Sequence, residues 1–333
     1  LLIDLLQKGK DTEEICDTLR IDNKTLYKLL LELKNKGVKF TKGYGIDGDI
    51  HYKIISKIKN LNPKEFKNTR TITVPKSVNS VKVLAISDLH FGNQKERLDL
   101  VDRAYNYCTK NGIHLIFCGG DIIDGAYSKG VQRITSSYEQ AEYFIEKYPH
   151  DKSILTFAVG GDHDFSAFNS ECIDIIEMCD NYRHDIVIGN YNNAIINMKK
   201  DKIQLYHYIN GGVALNINAS LMLHGHTHEF QLGMQQDRLN VALPSLSDLT
   251  ESSPSALEMT LNFKNDFIES TDIKHLYFDN KDIVLSESHL LLPENRNIKH
   301  ESNTTTNTIE DTHVTDEQVK QLSKTMMQLS RRS

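Results

Sequence analysis

The chain has 333 residues, 39% of them hydrophobic, which is enough for one large globular domain and a smaller one. No run of residues approaches the ~18 to 20 uninterrupted apolar positions of a membrane span, and the opening residues lack the features of a signal peptide. The five cysteines are scattered without a C-x-x-C pair, which suggests neither a disulfide framework nor a thiolate zinc site. We therefore expect a cytoplasmic protein with reduced cysteines and no membrane partner.

Charge is distributed unevenly along the chain. Residues 1–70 hold 15 lysines and arginines against 10 acidic residues, so their net charge is +5 and that of the remainder −11, for −6 overall. A basic segment on an acidic body is compatible with a nucleic-acid-binding module beside an enzyme. It is equally compatible with a solvated, lysine-rich surface.

Residues 1–55 are predicted to form a small domain of three helices followed by two strands. The helices are expected at 1–7, 12–19 and 24–35. Asp11 and Glu14 can form a capping box at the start of the second helix. The strands are expected at 38–40 and 51–55, on either side of a glycine-rich loop.

This order of elements resembles a winged helix-turn-helix, with the stretch around residues 23–35 as recognition helix. The resemblance implies DNA binding through residues 1–55. Helix-turn-helix folds that contact proteins instead of DNA are the alternative.

Residues 56–80 are predicted to be a linker with one strand-like run at 71–74, and a different pattern follows it. Strands are expected at 81–86, 113–118, 154–159, 202–208, 219–223, 239–243, 256–263 and 273–278. Helices are expected at 95–110, 136–147 and 170–180. Strands that alternate with helices predict an α/β core, and the later strands complete a second sheet of a sandwich over residues 81–292.

Residues 293–333 are polar and hold a low-complexity stretch at 303–307, which predicts a disordered linker. The last part, 315–330, begins with a capping box and places apolar side chains near one face, so it predicts a helix. That helix is expected either to dock on a protein partner or a second copy of the chain, or to remain a solvated tail.

Five short motifs rich in aspartate, histidine and glycine lie at or near the ends of predicted strands. They are Asp88-Leu-His90, Gly120-Asp121-Ile-Ile-Asp124, Gly161-Asp162-His163-Asp164, His207 and Gly225-His226-Thr-His228. Each motif alone is compatible with an ordinary turn. Five in succession indicate one site, because the ligand crevice of an open α/β sheet lies at such strand ends.

Carboxylates and imidazoles without a thiolate predict a site for two divalent cations, with manganese expected first and iron, zinc or magnesium as alternatives. One carboxylate can bridge two metals about 3.5 to 4 Å apart, the separation used in two-metal hydrolysis. Alternate residues leave a strand on the same side, so the pair Asp88 and His90 can aim at one centre, as can His226 and His228. Glycines before three motifs let the backbone turn sharply near the metals.

The motif order D-x-H, G-D-x-x-D, G-N-H-D, H, G-H-x-H is similar to the signature of the calcineurin-like metallophosphoesterase superfamily, and the resemblance covers about 81 to 250. It implies a four-layer α/β/β/α sandwich of two mixed β-sheets. It assigns the first metal to Asp88, His90 and His228, the second metal to Asp162, His207 and His226, and the bridge to Asp121. It further implies that a metal-bridging hydroxide attacks phosphorus while His163, oriented by Asp124, protonates the leaving oxygen.

One position departs from this signature, because Asp162 stands where the family has asparagine. A carboxylate still binds a hard cation through oxygen. Its negative charge should tighten metal binding and weaken the attraction of the metal pair for an anionic substrate. Reduced or altered activity is therefore an alternative.

The substrate class is indicated by the residues around the motifs. Gly125 follows G-D-x-x-D, where protein phosphatases of the superfamily usually carry an arginine that grips phosphate, which argues against a phosphoprotein substrate. The first and third motifs resemble those of the phosphodiesterase and nuclease branches, which implies hydrolysis of DNA held by residues 1–55 and the active-site cleft. The alternatives are a phosphomonoesterase acting on nucleotides or small metabolites, and a DNA-binding factor with an inactive phosphoesterase domain.

Overall fold

A computed structural model describes residues 2–35, 40–54, 69–127, 131–208, 218–235, 237–278 and 283–292. These residues form two mixed β-sheets and seven helices. All of these residues fall within one unit, Leu1–Arg296. The linker and helix predicted in 293–333 lie outside the described residues. The predicted α/β class and the pair of mixed sheets are confirmed.

Most helices and strands match the sequence prediction within a few residues. The helices are α1 Leu2–Gln7, α2 Thr12–Leu19, α3 Asn23–Asn35, α4 Leu98–Asn111, α5 Ser137–Lys147, α6 Asp162–Glu171 and α7 Ile175–Tyr182. The strands are β1 Phe40–Gly45, β2 Ile50–Ile54, β3 Thr69–Thr73, β4 Ser80–Ile86, β5 Leu115–Cys118, β6 Leu155–Ala158, β7 Ile186–Ile188, β8 Asn193–Met198, β9 Asp201–Tyr206, β10 Leu221–His224, β11 Gln231–Gln235, β12 Arg238–Ala242, β13 Ser255–Lys264, β14 Phe267–Phe278 and β15 Ile283–Leu291. The predicted capping box of Asp11 and Glu14 is present at α2.

The helix predicted at 170–180 is wrong at its start. Helix α6 already begins at the third motif and ends where Cys172 adopts a left-handed backbone conformation (φ 57°). Asp174 then accepts hydrogen bonds from the backbone N–H groups of Ile176 and Glu177, which begins α7. Two capped helices therefore replace the single one, because a left-handed residue interrupts the helical hydrogen bonds.

The seven-stranded sheet has the order β15-β14-β13-β4-β5-β6-β7, and its strands β4 to β7 are parallel. Alternate side chains of β4 lie in two different hydrophobic cores. Val83 and Ala85 lie in the core between the sheets, whereas Leu84 and Ile86 pack under the helices α4 to α7. Buried faces on both sides explain why these strands are almost continuously apolar.

The eight-stranded sheet has the order β11-β12-β10-β9-β8-β3-β1-β2. The hairpin β1–β2 extends this sheet, because β1 runs parallel to β3 with Tyr44 opposite Ile72. The loop expected around Gly43 and Gly45 is wrong, since β1 continues through both glycines. Pairing on both sides of β1 supplies the backbone hydrogen bonds that outweigh the poor strand propensity of glycine.

The N-terminal helices share the core of the two sheets. Leu6, Ile15 and Leu26 are buried in the same hydrophobic cluster as the sheet residues. The rings of Tyr44 in β1 and Phe157 in β6 meet edge to face, with centroids 5.0 Å apart. The predicted hairpin is thus part of the larger sheet, and the winged helix-turn-helix, the boundary at residue 55 and DNA binding there stay predictions.

Helices lie differently on the two sheets, and the four-layer arrangement stays a prediction. Apolar side chains of α4 to α7 cover the seven-stranded sheet, whereas α1 and α2 contact strand β2 at the edge of the eight-stranded sheet. Side chains of α3, among them Leu26, also lie in the core shared with this sheet. Helices of the described ranges are also too short or too polar to cross a membrane.

Candidate active site

The five motifs meet at one place because each follows the end of a strand. Three of them follow β4, β5 and β6 of the seven-stranded sheet, and two follow β9 and β10 of the eight-stranded sheet. Parallel neighbours bring their carboxyl ends to the same edge of a sheet, so ligand residues distant in sequence become adjacent. The site therefore lies where the two sheets present these ends together.

A first cluster brings ligand atoms of four residues within 4.8 Å of one another, namely Asp88, His90, Asp121 and His228. The His228 Nε2 atom lies 3.3 Å from Asp88 Oδ1, and His90 Nε2 lies 3.7 Å from Asp121 Oδ2. All but His228 are buried. This cluster contains the residues expected to hold the first metal together with the expected bridge.

A second cluster has the same dimensions and consists of Asp121, Asp162, His207 and His226. The His207 Nε2 atom lies 3.3 Å from Asp121 Oδ2 and 3.1 Å from Asp162 Oδ1. The His226 Nδ1 atom lies 3.2 Å from the same Asp162 oxygen. Asp121 belongs to both clusters, so the structure brings together all seven expected ligands in the two expected groups.

His163 and Asp124 lie beside the first cluster and form a third group with His90. The His163 ring centroid is 4.5 Å from that of His90. The His163 Nδ1 atom lies 2.7 Å from the backbone carbonyl oxygen of Asp124 but 3.8 Å from its carboxylate. The carboxylate instead accepts a 2.8 Å hydrogen bond from Asn93 and lies 3.5 Å from His90 Nδ1. The backbone of Asp124, not the expected carboxylate, therefore orients His163.

The backbone at the site is left-handed, in contrast to the strand-like alternation expected for the D-x-H and H-x-H motifs. The residues with positive φ are Asp88, His90, Asp121, His226 and His228. Such conformations cost of order 1–3 kcal/mol each in non-glycine residues and persist only where neighbours hold them. The N–H groups of Asp88 and His90 donate to the carbonyl oxygens of Gly120 and Asp121, at 2.9 and 3.0 Å. Tight turns, not strand alternation, aim these side chains at one centre.

Close backbone approach explains two of the motif glycines. A Cβ atom on Gly161 would collide with the carboxylate and backbone nitrogen of Asp121. A Cβ atom on Gly225 would collide with the Ser87 hydroxyl and crowd the Asp88 carboxylate. The expectation that these glycines let the chain approach the ligands is confirmed.

Three positioning residues had no assigned role in the sequence analysis. The Asp164 carboxylate accepts hydrogen bonds from the N–H groups of Ile122 and Ile123, at 2.9 and 3.0 Å, and so fixes the second motif to the third. Burial, with a contribution from the charge of Asp121, raises the pKa of Asp164 to about 7. Asp164 could have been found from its place in the third motif.

Asn93 and Gln140 lie outside every motif, so no sequence signal pointed to them. Asn93 holds the Asp124 carboxylate, as described above. The Gln140 side chain accepts a 2.7 Å hydrogen bond from the N–H of Gly125 and donates to the carbonyl oxygens of Gly125 and Ile134. Both residues therefore support the loop that carries Asp124.

Charges inside the site offset one another. Burial raises the pKa of Asp162, but hydrogen bonds from His207 and His226 outweigh it, so the pKa lies below its usual range. Burial lowers the pKa of His207, yet the neighbouring Asp121 raises it well above its usual value. The carboxylates of the two clusters, Asp88, Asp121 and Asp162, all have lowered pKa values and stay ionised, which is the form that binds a cation.

Unsatisfied polar atoms show that the residues fit divalent cations. His90 is 1% exposed, its Nδ1 atom lies 3.5 Å from the Asp124 carboxylate, and its Nε2 atom has no hydrogen-bond partner within the described part of the chain. A buried polar atom without a partner is costly, and a metal at the first cluster would satisfy His90 Nε2. The Nδ1 atom of His207 bonds the Gly119 carbonyl oxygen at 2.8 Å, which leaves Nε2 facing the second cluster. A backbone oxygen behind a ligating imidazole is typical of metal sites.

Comparison with known proteins identifies the class. Residues 81–262 match the calcineurin-like phosphoesterase superfamily domain, which is more than half of the chain. The chain therefore belongs to the calcineurin-like phosphoesterase superfamily. A search of curated proteins found no match.

Solved structures with a similar fold come from several organisms. The chain is similar to vacuolar protein sorting 29 from Cryptosporidium parvum, at 16% identity and a TM-score of 0.42 over 64% of this chain and 100% of that one. It is similar to Yfce, a phosphoesterase from E. coli, at 17% identity and a TM-score of 0.40 over 64% and 100%. It is also similar to an archaeal phosphodiesterase, at 14% identity and a TM-score of 0.37 over 63% and 100%. Likeness at this level carries no argument about substrate.

Proposed function

We propose that the chain is a divalent-metal-dependent phosphodiesterase that hydrolyses DNA. The observation that carries this proposal is the pair of four-residue clusters that share Asp121, with His163 beside them. The first cluster would hold one cation and the second cluster the other, manganese being the first choice for ligands of oxygen and nitrogen without sulfur. When bound, two such cations supply a hydroxide nucleophile near neutral pH and neutralise charge on the phosphoryl oxygens.

His163 is the proposed proton donor to the leaving group. Its Nδ1 atom is occupied by the carbonyl oxygen of Asp124, so Nε2 is the nitrogen left for proton transfer. Burial lowers the pKa of His163, but Asp121 and the Asp124 carbonyl outweigh this effect and the pKa is raised. The imidazolium can therefore give its proton to the departing oxygen as the phosphorus–oxygen bond breaks, and it becomes neutral imidazole.

The charge of the site favours a diester over a monoester. Gly125 has a φ of +66°, and a Cβ atom there would collide with the His163 carbonyl oxygen, so no arginine can take this position. Within the described ranges, no lysine or arginine forms an ion pair with the cluster residues. Asp162 adds a further negative charge. A phosphodiester carries one negative charge, whereas a monoester carries up to two. The carboxylates of the site therefore repel a diester less, and a diester depends less on an arginine to hold its phosphate.

DNA as the substrate rests on the basic N-terminal part of the chain. The net charge of +5 over residues 1–70 can contact phosphates, with binding that weakens as salt rises. Residues 1–55 and the active-site cleft are the proposed contact surfaces. A partner or second copy that docks on the C-terminal helix is a separate proposal.

The test compares four substrates in the presence of manganese: single-stranded DNA, duplex DNA, bis(4-nitrophenyl) phosphate and 4-nitrophenyl phosphate. Asp121→Asn should abolish turnover, whereas Asp266→Asn, at the turn between β13 and β14, should keep it. Preference for the monoester would contradict the diesterase assignment in favour of a phosphomonoesterase. Absence of turnover on all four substrates by metal-loaded protein would favour a DNA-binding factor with an inactive domain.

A further inference from the structure

Two tyrosine rings lie exposed beside the site, and the proposed mechanism gives neither of them a role. Tyr127 is 51% exposed, and its ring centroid is 5.1 Å from that of His163. Tyr208 is 41% exposed, and its centroid is 5.9 Å from that of His226. A single exposed aromatic side chain is ordinary on a protein surface, but two at the same site need an explanation.

Other exposed aromatic side chains provide a comparison. Within the described ranges the exposed set is Tyr127, Tyr138, Phe168, Tyr182, Tyr208 and Tyr277. Among these, ring contacts with histidines of the site are made by Tyr127 and Tyr208. Tyr277 stacks on His275, which belongs to neither cluster, and Phe168 packs on Phe165 and Tyr191. Tyr127 and Tyr208 are thus distinguished by position, not by exposure alone.

Each ring is held on one side and open on another. Tyr127 meets His163 at an interplanar angle of 69°. Tyr208 meets Tyr206 at 81° and His224 at 80°, with centroids 5.5 and 5.4 Å apart. Edge-to-face contacts orient a ring, and the exposed fractions of these two side chains leave part of each ring available for stacking. Both rings are therefore suitable platforms for a planar group.

The two rings lie next to histidines that pack on different clusters. His163, beside Tyr127, packs on His90 of the first cluster. His226, beside Tyr208, packs on His207 of the second cluster with centroids 5.2 Å apart. A phosphate bound by both clusters would therefore have Tyr127 near the proposed proton donor His163 and Tyr208 near His226.

We infer that Tyr127 and Tyr208 form an aromatic clamp that determines substrate specificity, an inference that rests on the proposed function. Tyr127 stacks on the planar group attached to the leaving oxygen, because it lies against the proton donor His163. Tyr208 stacks on the planar group that stays on phosphorus. The substrate class is a phosphodiester with an aromatic group on each side, as adjoining nucleotides of an unpaired strand provide. Removal of such a stacking ring weakens affinity by about ten- to a hundred-fold.

Kinetics on two diesters separate the two rings. Bis(4-nitrophenyl) phosphate and methyl 4-nitrophenyl phosphate share a leaving group, but only the former keeps a second ring. Tyr208→Ala should raise KM about tenfold for the bis-aryl diester and leave the methyl diester unchanged, with kcat little altered. Tyr127→Ala should raise KM for both. The phenylalanine variants should behave as wild type, and so should the control Tyr182→Ala. Equal KM values in wild type and both alanine variants would overturn the clamp.

Binding of stable phosphonates tests the clamp without turnover. Phenylphosphonate should bind the manganese-loaded protein about tenfold more tightly than methylphosphonate in calorimetry, and the double variant Tyr127→Ala/Tyr208→Ala should lose that difference. No preference in the wild type, or one that survives in the double variant, overturns the clamp even where diesters are hydrolysed. If the wild type prefers phenylphosphonate and the double variant does not, the clamp is supported even where no diester is hydrolysed. In that outcome only the proposed function fails.

Discussion

The Nδ1 atom of His163 lies 2.7 Å from the backbone carbonyl oxygen of Asp124. A backbone oxygen cannot be removed by a side-chain substitution, so this contact to His163 remains whatever side chain residue 124 carries. The Asp124 carboxylate is free to act elsewhere, and it lies 3.5 Å from Nδ1 of His90, a residue of the first cluster. Orientation of the proposed proton donor and support of a candidate metal ligand are thus divided between two groups of one residue.

His163→Ala should lower kcat by about 10²- to 10⁴-fold, the range expected for loss of a general acid. Metal content should be unchanged, because His163 belongs to neither four-residue cluster. Steady-state kinetics on bis(4-nitrophenyl) phosphate and elemental analysis of the same preparation measure both effects. His150→Ala, at an exposed position, is the control. Wild-type turnover in His163→Ala would refute the role of His163.

Asp124→Asn should act on the metal more than on proton transfer. Loss of the charge behind His90 is expected to weaken manganese affinity about 10- to 100-fold, as for other groups that support a ligating histidine. At saturating manganese kcat should approach the wild-type value, because the backbone contact to His163 remains. Calorimetric metal titration and kinetics at several manganese concentrations measure the two effects. A kcat at saturating metal as low as that of His163→Ala would show that the carboxylate orients the proton donor after all.

Asp162→Asn restores the residue type that the family signature carries at this position. The Asp162 Oδ1 atom lies 3.1 Å from His207 Nε2 and 3.2 Å from His226 Nδ1, and an asparagine oxygen can take the same place. Loss of the charge should weaken manganese binding at the second cluster about tenfold and lower KM for an anionic diester. Calorimetry and kinetics at saturating manganese test both shifts, with Asp162→Ala as a variant that removes the ligand oxygen. Tighter metal binding or a higher KM in Asp162→Asn would contradict this account.

Most strands and the residues of the two clusters could be predicted from the sequence because their signals are local, whereas β7, β8, β11 and β15 were not predicted. Buried parallel strands such as β5 are short apolar runs, and each ligand motif follows such a run within a few residues. The clustering of Asp88 with His228 follows from the rule that strand ends of an α/β fold meet at one edge. No knowledge of the side-chain conformations was needed.

Long-range pairing and backbone conformation could not be predicted in this way. The alignment of Tyr44 with Ile72 joins segments that the sequence pattern treated as separate, and no local periodicity reports it. The left-handed conformation of Asp88 and His90 depends on hydrogen bonds to a loop some thirty residues later in the chain. Asn93 acts through that same loop. Features of this kind depend on tertiary contacts, which override local propensity.

Stability should fall in mild acid because of His275. This side chain is buried, its Nε2 atom lies 2.8 Å from the Ser255 hydroxyl, and burial lowers its pKa from 6.5 to about 4. His275 takes up a proton near pH 6.5 in the unfolded chain but only near pH 4 in the folded protein. Between these two pH values, proton binding therefore favours the unfolded chain. The contribution of neutral His275 to the free energy of unfolding is complete above pH 6.5 and is lost as the pH falls towards 4.

Urea unfolding at several pH values measures this effect. His275→Gln should show a smaller loss of unfolding free energy between pH 6.5 and 4 than wild type, and the exposed His150→Gln should follow wild type. The same slope in His275→Gln and wild type would exclude His275 as the cause.

Tyr44→Ala should destabilise the whole described unit. Tyr44 is 2% exposed in β1 and its ring packs on Phe157 in β6, so truncation leaves a cavity between the two sheets. Loss of a buried aromatic side chain costs about 3–5 kcal/mol. Because the N-terminal helices share this core, the variant should still unfold in a single transition, at a lower urea concentration than wild type. Hydrolysis of bis(4-nitrophenyl) phosphate should be lost in the same transition. The exposed Tyr182→Ala should leave the curve unchanged. If residues 1–55 fold independently instead, Tyr44→Ala would split the curve in two and leave the hydrolytic transition where it is in the wild type.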